Sequence, residues 1–370
     1  MRVLHVLEAI EGGTARHVTD LVTHATEVAH VVVTPAKRVG SHTDHLAVPA
    51  MRVAGADVRI VDMRRSPTAV QNVHALRAVA GLVADLRPDV VHGHSSIGGV
   101  IARLAARRLR GTRCIWTPNG VLEQWPVVVV ERGLARITDR LVAVSPSEQD
   151  LLRRLRIGRP DRLVMIPNGI ELTEHSDTPD LRQMCGVPPG TPLVGCVARL
   201  SEQKGIDVLL PAWQLAAREV PDAHFLLIGD GPLGPMVAER TAGWRGFTWL
   251  SGVPDVRRVL HQLDVFSLLS RYEGAPYAPL EAMWAGVPAV LSDVVGNRDA
   301  VDVASGVLVP AEDAGDAAAA IVTLLRRPDL RRQLSDAGRS RVVDRFDIRK
   351  IANMVTGLYQ EVTGHPQSLS

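Results

Sequence analysis

At 370 residues the chain exceeds what one hydrophobic core usually serves, which predicts two domains. Apolar residues make up 46% and charged residues 22%, which excludes a disordered tail or a low-complexity repeat. The net charge of +2 conceals an asymmetry, because residues 1–170 carry 23 Lys and Arg against 15 Asp and Glu and the remainder carries 19 against 25.

The run RVLHVL (2–7) opens an alternation of short β-branched stretches with helical patterns. AHVVVT (29–34), DVRIVD (57–62), DVVHGH (89–94), TRCIWT (112–117) and RLVAVS (140–145) read as buried parallel strands. Between them, stretches such as ARHVTDLVTHA and VIARLAARRLR place apolar residues at helical spacing. The alternation pauses at 167–192, where Pro, Gly and polar residues accumulate as in a linker. It restarts with PLVGCVAR (192–199), AHFLLIG (223–229), FTWLSG (247–252), VFSLLS (265–270), PAVLSD (288–293) and GVLVP (306–310). Residues 312–362 are helical in pattern, and the tail GHPQSLS reads as frayed. The expected fold class is α/β, with two Rossmann-like, doubly wound domains facing an interdomain cleft. The boundaries read as 1–168, a linker at 169–190, 191–346, and a closing segment at 347–370. Ligands of such sheets sit beyond the carboxyl ends of the strands, so the residues after each strand are the ones to search for chemistry.

After the first strand come Glu11, Gly12 and Gly13 and a helix start, read either as a close backbone approach to a phosphate or as a plain tight turn. The pattern is not GxGxxG, which disfavours a hydride-transferring dehydrogenase. DVVHGH ends in His94, which could meet a hydroxyl or phosphate, while His92 reads as a packing residue. VARLSEQKG (197–205) puts Arg199 and Lys204 directly after a strand, either as surface charge or as a pocket for a diphosphate. Asp230 in IGDGP reads first as a helix cap and second as a contact for a ligand hydroxyl. Glu273 and Glu281 in RYEGAPYAPLEAMWAGVPAVLSD are separated by seven residues, one on a loop and one on a helix. On that spacing one carboxylate could face a sugar and the other accept both hydroxyls of a ribose. No DxD occurs, so a metal-bound diphosphate lacks its usual acidic ligands and Arg199 and Lys204 are left to neutralise that charge.

In order, EGG near residue 12, DVVHGHSSIGG (89–99), MIPNGI (165–170), VARLSEQKG, IGDGP and EGAPYAPLEAMWAGVPAVLSDVVGN (273–297) resemble family 4 of the glycosyltransferases, retaining enzymes of the GT-B architecture. The resemblance spans essentially the whole chain. It implies that Arg199 and Lys204 hold the donor diphosphate, that Glu281 binds the ribose, and that Glu273 faces the donor sugar with backbone groups of Gly274, Ala275, Pro276 and Tyr277. It further implies that Gly12 and Gly13 close on the diphosphate, that His94 touches the sugar at its 6-position, that Val253 reads the base, and that the final helix crosses back to the first domain. The chain departs from the family pattern with EGAP in place of EGFG and with Asn119 in place of a histidine. The HSS form of the histidine motif looks most like enzymes acting on polyprenyl-linked or other glycan acceptors.

The implied activity is metal-independent hexosyl transfer with retention, the co-substrate being a UDP- or GDP-sugar and no further cofactor being called for. The acceptor is a sugar, a lipid-linked or cell-envelope glycan, or, as the alternative, a small-molecule natural product. A non-catalytic sugar-nucleotide-binding protein is the alternative of a different class, while a phosphorylase would need a pyridoxal-phosphate lysine and a larger chain. Nucleic acid is disfavoured as a partner, since aromatics are few and no basic run is interleaved with stacking side chains. The basic first half reads either as a solvated face or as a peripheral contact with an anionic membrane. Three cysteines without metal-ligand spacing, no secretory h-region and no apolar run near the roughly 20 residues of a membrane span predict a cytoplasmic protein, with that peripheral contact at the inner face of the membrane.

Overall fold

The computed structural model describes residues 1–10, 12–36, 47–121, 123–175, 178–253 and 255–364. The chain forms two compact units, one of residues 1–169 with the final helix Ile348–Thr363, the other Ile170–Asp347.

Among the described residues the first unit contains a parallel sheet of β1 (Arg2–Leu7), β2 (Ala29–Thr34), β3 (Asp57–Ile60), β4 (Val90–His94), β5 (Arg113–Thr117), β6 (Arg140–Ala143) and β7 (Leu163–Met165). Its order is β3-β2-β1-β4-β5-β6-β7, so the winding direction reverses between β1 and β4. The six strands expected from periodicity are present, some trimmed by a residue or two. The seventh, β7, is three half-buried residues at the sheet edge, too short to carry a period.

The second unit contains β8 (Leu193–Val197), β9 (His224–Ile228), β10 (Phe247–Leu250), β11 (Val265–Leu268), β12 (Ala289–Ser292) and β13 (Gly306–Val309), ordered β10-β9-β8-β11-β12-β13. Here the reversal falls between β8 and β11. The stretch read as a linker is, from Ile170 onward, folded into this unit. Ile170 N–H donates to Phe346 O at 2.7 Å, and Ile170 and Leu181 are buried in its core. The helix Leu181–Cys185 is capped by the Asp180 side chain and closed by Gly186 at φ 64°. Proline- and glycine-rich composition hid these two anchors, because one apolar residue per turn is enough to dock so short a helix.

The final helix belongs to the first unit, where Ile348, Ile351, Val355 and Tyr359 pack with Val3, Leu21, Val90, Ile115 and Val142. Gly169 permits this packing, since a Cβ there would lie 2.6 Å from Ile348 Cα. Close approach also sets the β4 turn. A Cβ on Gly99 would lie 2.3 Å from Trp116 Nε1, which donates to Ser95 O at 2.9 Å.

Against the same Trp116 face, 4.1 Å from its ring, lies the fully buried Arg103 guanidinium, paired with Glu131 at 2.6 Å. Removing one member of such a pair strands a buried charge. Glu131→Ala is therefore expected to lower the unfolding free energy by about 3–5 kcal/mol in a denaturant titration. A loss below about 1 kcal/mol would mean that Arg103 is neutralised some other way.

Cys114, Cys185 and Cys196 are free thiols, and burial pushes those of Cys114 and Cys196 up to about 12. Among the described residues no helix is long and apolar enough to cross a membrane.

Candidate functional site

In the second unit the chain after β8 is pinned by backbone. Ala198 N–H donates to Ile228 O at 3.0 Å and Leu200 N–H to Asp230 O at 2.9 Å. Gly229 and Gly231, at φ 141° and 158°, make this possible, for a Cβ on either would stand 2.0 Å from Ala198 O or 2.4 Å from Leu200 O. Asp230 does not cap the following helix. Its Oδ1 accepts from Gly231 N–H at 2.7 Å, and the helix Gly234–Arg240 starts after Leu233 with no side-chain cap. The extended glycine carries the chain past the reach of the Asp230 carboxylate. Arg199, on the pinned segment, is exposed and makes no ion pair among the described residues.

The next turn, Glu202–Lys204, is stitched to the end of β11. Gly205 at φ 60° would place a Cβ 2.1 Å from Leu269 O, so no other residue fits. Arg271 N–H donates to Gln203 O at 2.8 Å, Gln203 Nε2 to Tyr272 O at 3.1 Å, and the Arg271 guanidinium grips the Asp207 carboxylate at 2.9 and 2.8 Å. These bonds bring the Lys204 ammonium 2.5 Å from Glu273 Oε1, which also accepts from Ser270 Oγ at 2.6 Å. Glu273 is 8% exposed, so this pair sits in partly desolvated surroundings where its charges count for more than on the open surface. Of the residues singled out by sequence, Lys204 and Glu273 are thus in contact. Ser270, Gln203, Arg271 and Asp207 were missed, and only Ser270, three residues before Glu273 at the strand end, carried a local signal.

Gly274 lies under Gly296, whose Cβ would meet Gly274 O at 2.6 Å, and the loop then runs through half-buried Ala275 into Pro276, the cap residue of the helix Tyr277–Trp284. Tyr277 is buried at the first position of that helix, and Glu281 is its fifth residue, 6% exposed. With Glu171, Arg257, His261, Trp284 and Arg339, Glu281 lines a cavity of about 230 Å³ within this unit. Val253 is half-buried and packs on the unit's core.

In the first unit Gly12 opens the helix Gly12–His24 at φ 70°, and both Gly12 and Gly13 are exposed. A Cβ on Gly12 would meet nothing within 4 Å, so conformation and not space calls for glycine there. Glu11 lies outside the described residues. His94 ends β4 opposite Leu7 of β1 and is fully buried. The residue after it, Ser95, sits at φ 61° and ψ −164°, a conformation that costs a non-glycine residue about 1–3 kcal/mol. Glu8 holds it there, accepting from Ser95 Oγ and from Gly98 N–H, each at 2.8 Å.

His94 is not alone. His5 Nδ1 and His94 Nε2 are 3.1 Å apart, His5 Nε2 and His30 Nδ1 3.0 Å apart, and His30 Nε2 donates to Ala25 O at 3.0 Å. His92 bonds Tyr359 Oη at 2.7 Å and Thr117 Oγ1 at 2.8 Å, in keeping with its reading as a packing residue. Burial, reinforced by the neighbouring histidines, holds His5, His92 and His94 well below the ordinary imidazole range, and burial takes His17 down to about 4. His5 and His30 escaped the sequence reading, because their proximity depends on sheet register, which sets His5 directly opposite His92. Ring nitrogens of His5, His92 and His94 lie within 4.8 Å of one another, a spacing a metal would accept. Hydrogen bonds to one another and to His30, Tyr359 and Thr117 already account for it.

Residues 11–174 match the family model described as Glycosyltransferase Family 4, and residues 191–327 that described as Glycosyl transferases group 1. The alpha-maltose-1-phosphate synthase of Mycolicibacterium smegmatis is 28% identical over 388 residues, 96% of either chain. A UDP-Gal:alpha-D-GlcNAc-diphosphoundecaprenol alpha-1,3-galactosyltransferase of Escherichia coli is 27% identical over 80% of this chain and 81% of its own. The crystal structure of Anabaena Alr3699/HepE in complex with UDP and glucose superposes with a TM-score of 0.82 at 20% identity, covering 98% of this chain and all of the other. With two matched models that between them cover most of its length, and two doubly wound parallel sheets, this chain belongs to the family 4, group 1 glycosyltransferases of the GT-B fold.

Proposed function

We propose that the protein is a retaining, metal-independent glycosyltransferase that moves a hexose from a nucleotide-diphosphate sugar to an acceptor hydroxyl. The carrying observation is the Lys204–Glu273 pair at the β8–β11 reversal, with Arg199, exposed and without an ion pair among the described residues, on the pinned segment before it. In this reading the C1–O bond to the diphosphate breaks, Arg199 and Lys204 absorb the negative charge that develops on the leaving oxygen, and the acceptor oxygen bonds C1 on the same face. The acceptor proton passes to the departing phosphate oxygen, so no side chain has to be a strong base. Glu273 orients Lys204, and accepts from sugar hydroxyls with backbone groups of Gly274, Ala275, Pro276 and Tyr277 beside it. Glu281 holds the ribose, Val253 meets the base, and Gly12, Gly13 and His94 are the donor contacts of the first unit.

Two names bear on the substrates. The Anabaena structure holds UDP and glucose, and the Escherichia coli relative is named for UDP-Gal and a diphosphoundecaprenol-linked acceptor. A UDP-hexose and a lipid-linked glycan acceptor are therefore the first pair to try, ahead of a GDP-sugar or a small-molecule acceptor.

Melting the protein against UDP-, GDP-, ADP- and dTDP-sugars tests the donor assignment. A true donor at 100 times its Kd adds about 2.7 kcal/mol to the folded state, and the others leave the melting point in place. Product NMR then reads the anomer, and an inverted product would remove the retaining mechanism. Activity abolished by EDTA and restored by Mg²⁺ would remove metal independence, and tight donor binding without hydrolysis or transfer would favour a sugar-nucleotide-binding protein.

A further inference from the structure

Proton positions in the buried histidine row follow from a single carbonyl. Ala25 O can only accept, so His30 Nε2, 3.0 Å away, carries a proton. His30 is neutral in its buried site and has one N–H, which leaves its Nδ1 bare. His5 Nε2, 3.0 Å from that nitrogen, therefore donates to it. His5 is neutral too, so its Nδ1 is bare and accepts from His94 Nε2 at 3.1 Å. His94 has then spent its only proton. Its Nδ1 is a lone pair, buried and without a hydrogen-bond partner among the described residues. Of the neighbouring rings outside the row, His92 lies tilted at 4.1 Å with its two nitrogens bonded to Tyr359 and Thr117, and His17 stands edge-on at 5.5 Å, hydrogen-bonded to Asn168.

We propose that His30 and His5 are positioning residues that lock His94 in its Nε2–H tautomer, so that Nδ1 offers a fixed acceptor to a sugar hydroxyl. This rests on the reading above that His94 contacts the donor sugar. A bare lone pair takes an O–H and rejects a carboxylate or phosphate oxygen, so the row would select a neutral, hydroxyl-bearing group at this point. The selectivity originates two side chains away, at the Ala25 carbonyl.

The tautomer can be read directly by NMR of the full chain labelled with ¹⁵N-histidine, without donor, with His94 assigned from the His94→Gln spectrum. A protonated Nε2 and an unprotonated Nδ1 are expected, and the reverse overturns the relay. His30→Leu removes the acceptor of His5 Nε2–H and frees the row to run in either direction. It should populate the Nδ1–H form of His94 and lower kcat/KM for UDP-glucose, or whichever panel sugar is turned over, by about tenfold, the worth of one hydrogen bond. His30→Asn, whose Oδ1 stands near the Nδ1 position, should restore both tautomer and rate. An unchanged His94 spectrum in His30→Leu overturns the proposal, and if that variant does not fold, the wild-type and His30→Asn spectra decide. Should the wild type show the expected tautomer while no sugar of the panel moves the Nδ1 signal, the relay stands and the sugar contact falls.

Discussion

Lys204→Ala is expected to lower kcat by about 10²-fold or more while the protein stays folded. The expectation follows from placement. Gly205 is held against Leu269 O, and Arg271 and Gln203 tie the turn to the loop after β11. The ammonium therefore has little freedom, and a preorganised charge acts without reorganising as the leaving oxygen gains negative charge. Binding of the ground-state diphosphate uses the same charge, so KM should rise as well, but by less than kcat falls. The substitution also leaves the Glu273 carboxylate, 8% exposed, with Ser270 Oγ as its one side-chain partner among the described residues. A thermal melt taken alongside separates that structural loss from the catalytic one. Lys204→Arg restores the charge with a wider, planar group and should recover part of the rate. Near-normal turnover of Lys204→Ala would take Lys204 out of the mechanism.

Acidification should unfold the first unit well before the second. His5, His17, His92 and His94 are buried and neutral, and all have folded-state values lowered below the ordinary 6.5. Below that pH the unfolded chain binds protons that the folded unit refuses. Their effect on stability is therefore nil above about pH 6.5 and grows as pH falls, for His17 until about pH 4, its folded value, with the other three acting in the same direction. Each such group costs about 1.4 kcal/mol per pH unit across its window, which for His17 alone comes to about 3 kcal/mol between pH 6.5 and 4, against a domain stability of about 5–15 kcal/mol. The second unit has one lowered histidine among the described residues, the half-buried His224. Calorimetry between pH 7 and 4 should show one transition moving steeply downward and splitting from the other. Parallel movement of both would mean that the histidine row admits water or protons in the folded state.

How much of this was legible in advance depended on distance along the chain. The βαβ alternation, twelve of the thirteen described strands and the six stretches that carry the family resemblance are local patterns, fixed by side-chain period and by the glycines that turns demand. The functional reading came from the same local stretches, because the residues after a strand end are sequence neighbours of that strand. Tertiary structure alone decided the rest. Lys204 meets Glu273 across 69 positions, drawn together by Arg271 and Asp207, 64 apart, and no period or motif relates either pair. Ile170 and Leu181 turn an apparent linker into core because of what lies opposite them, and β7 is a strand only by virtue of its neighbour β6. The histidine row is the clearest instance. His94 drew notice at its strand end, but His5 and His30 carry no signal in their own segments, and only the parallel register of β1, β2 and β4 sets the three ring to ring. Composition and spacing chose the elements, whereas hydrogen-bond register between elements chose which side chains share a proton.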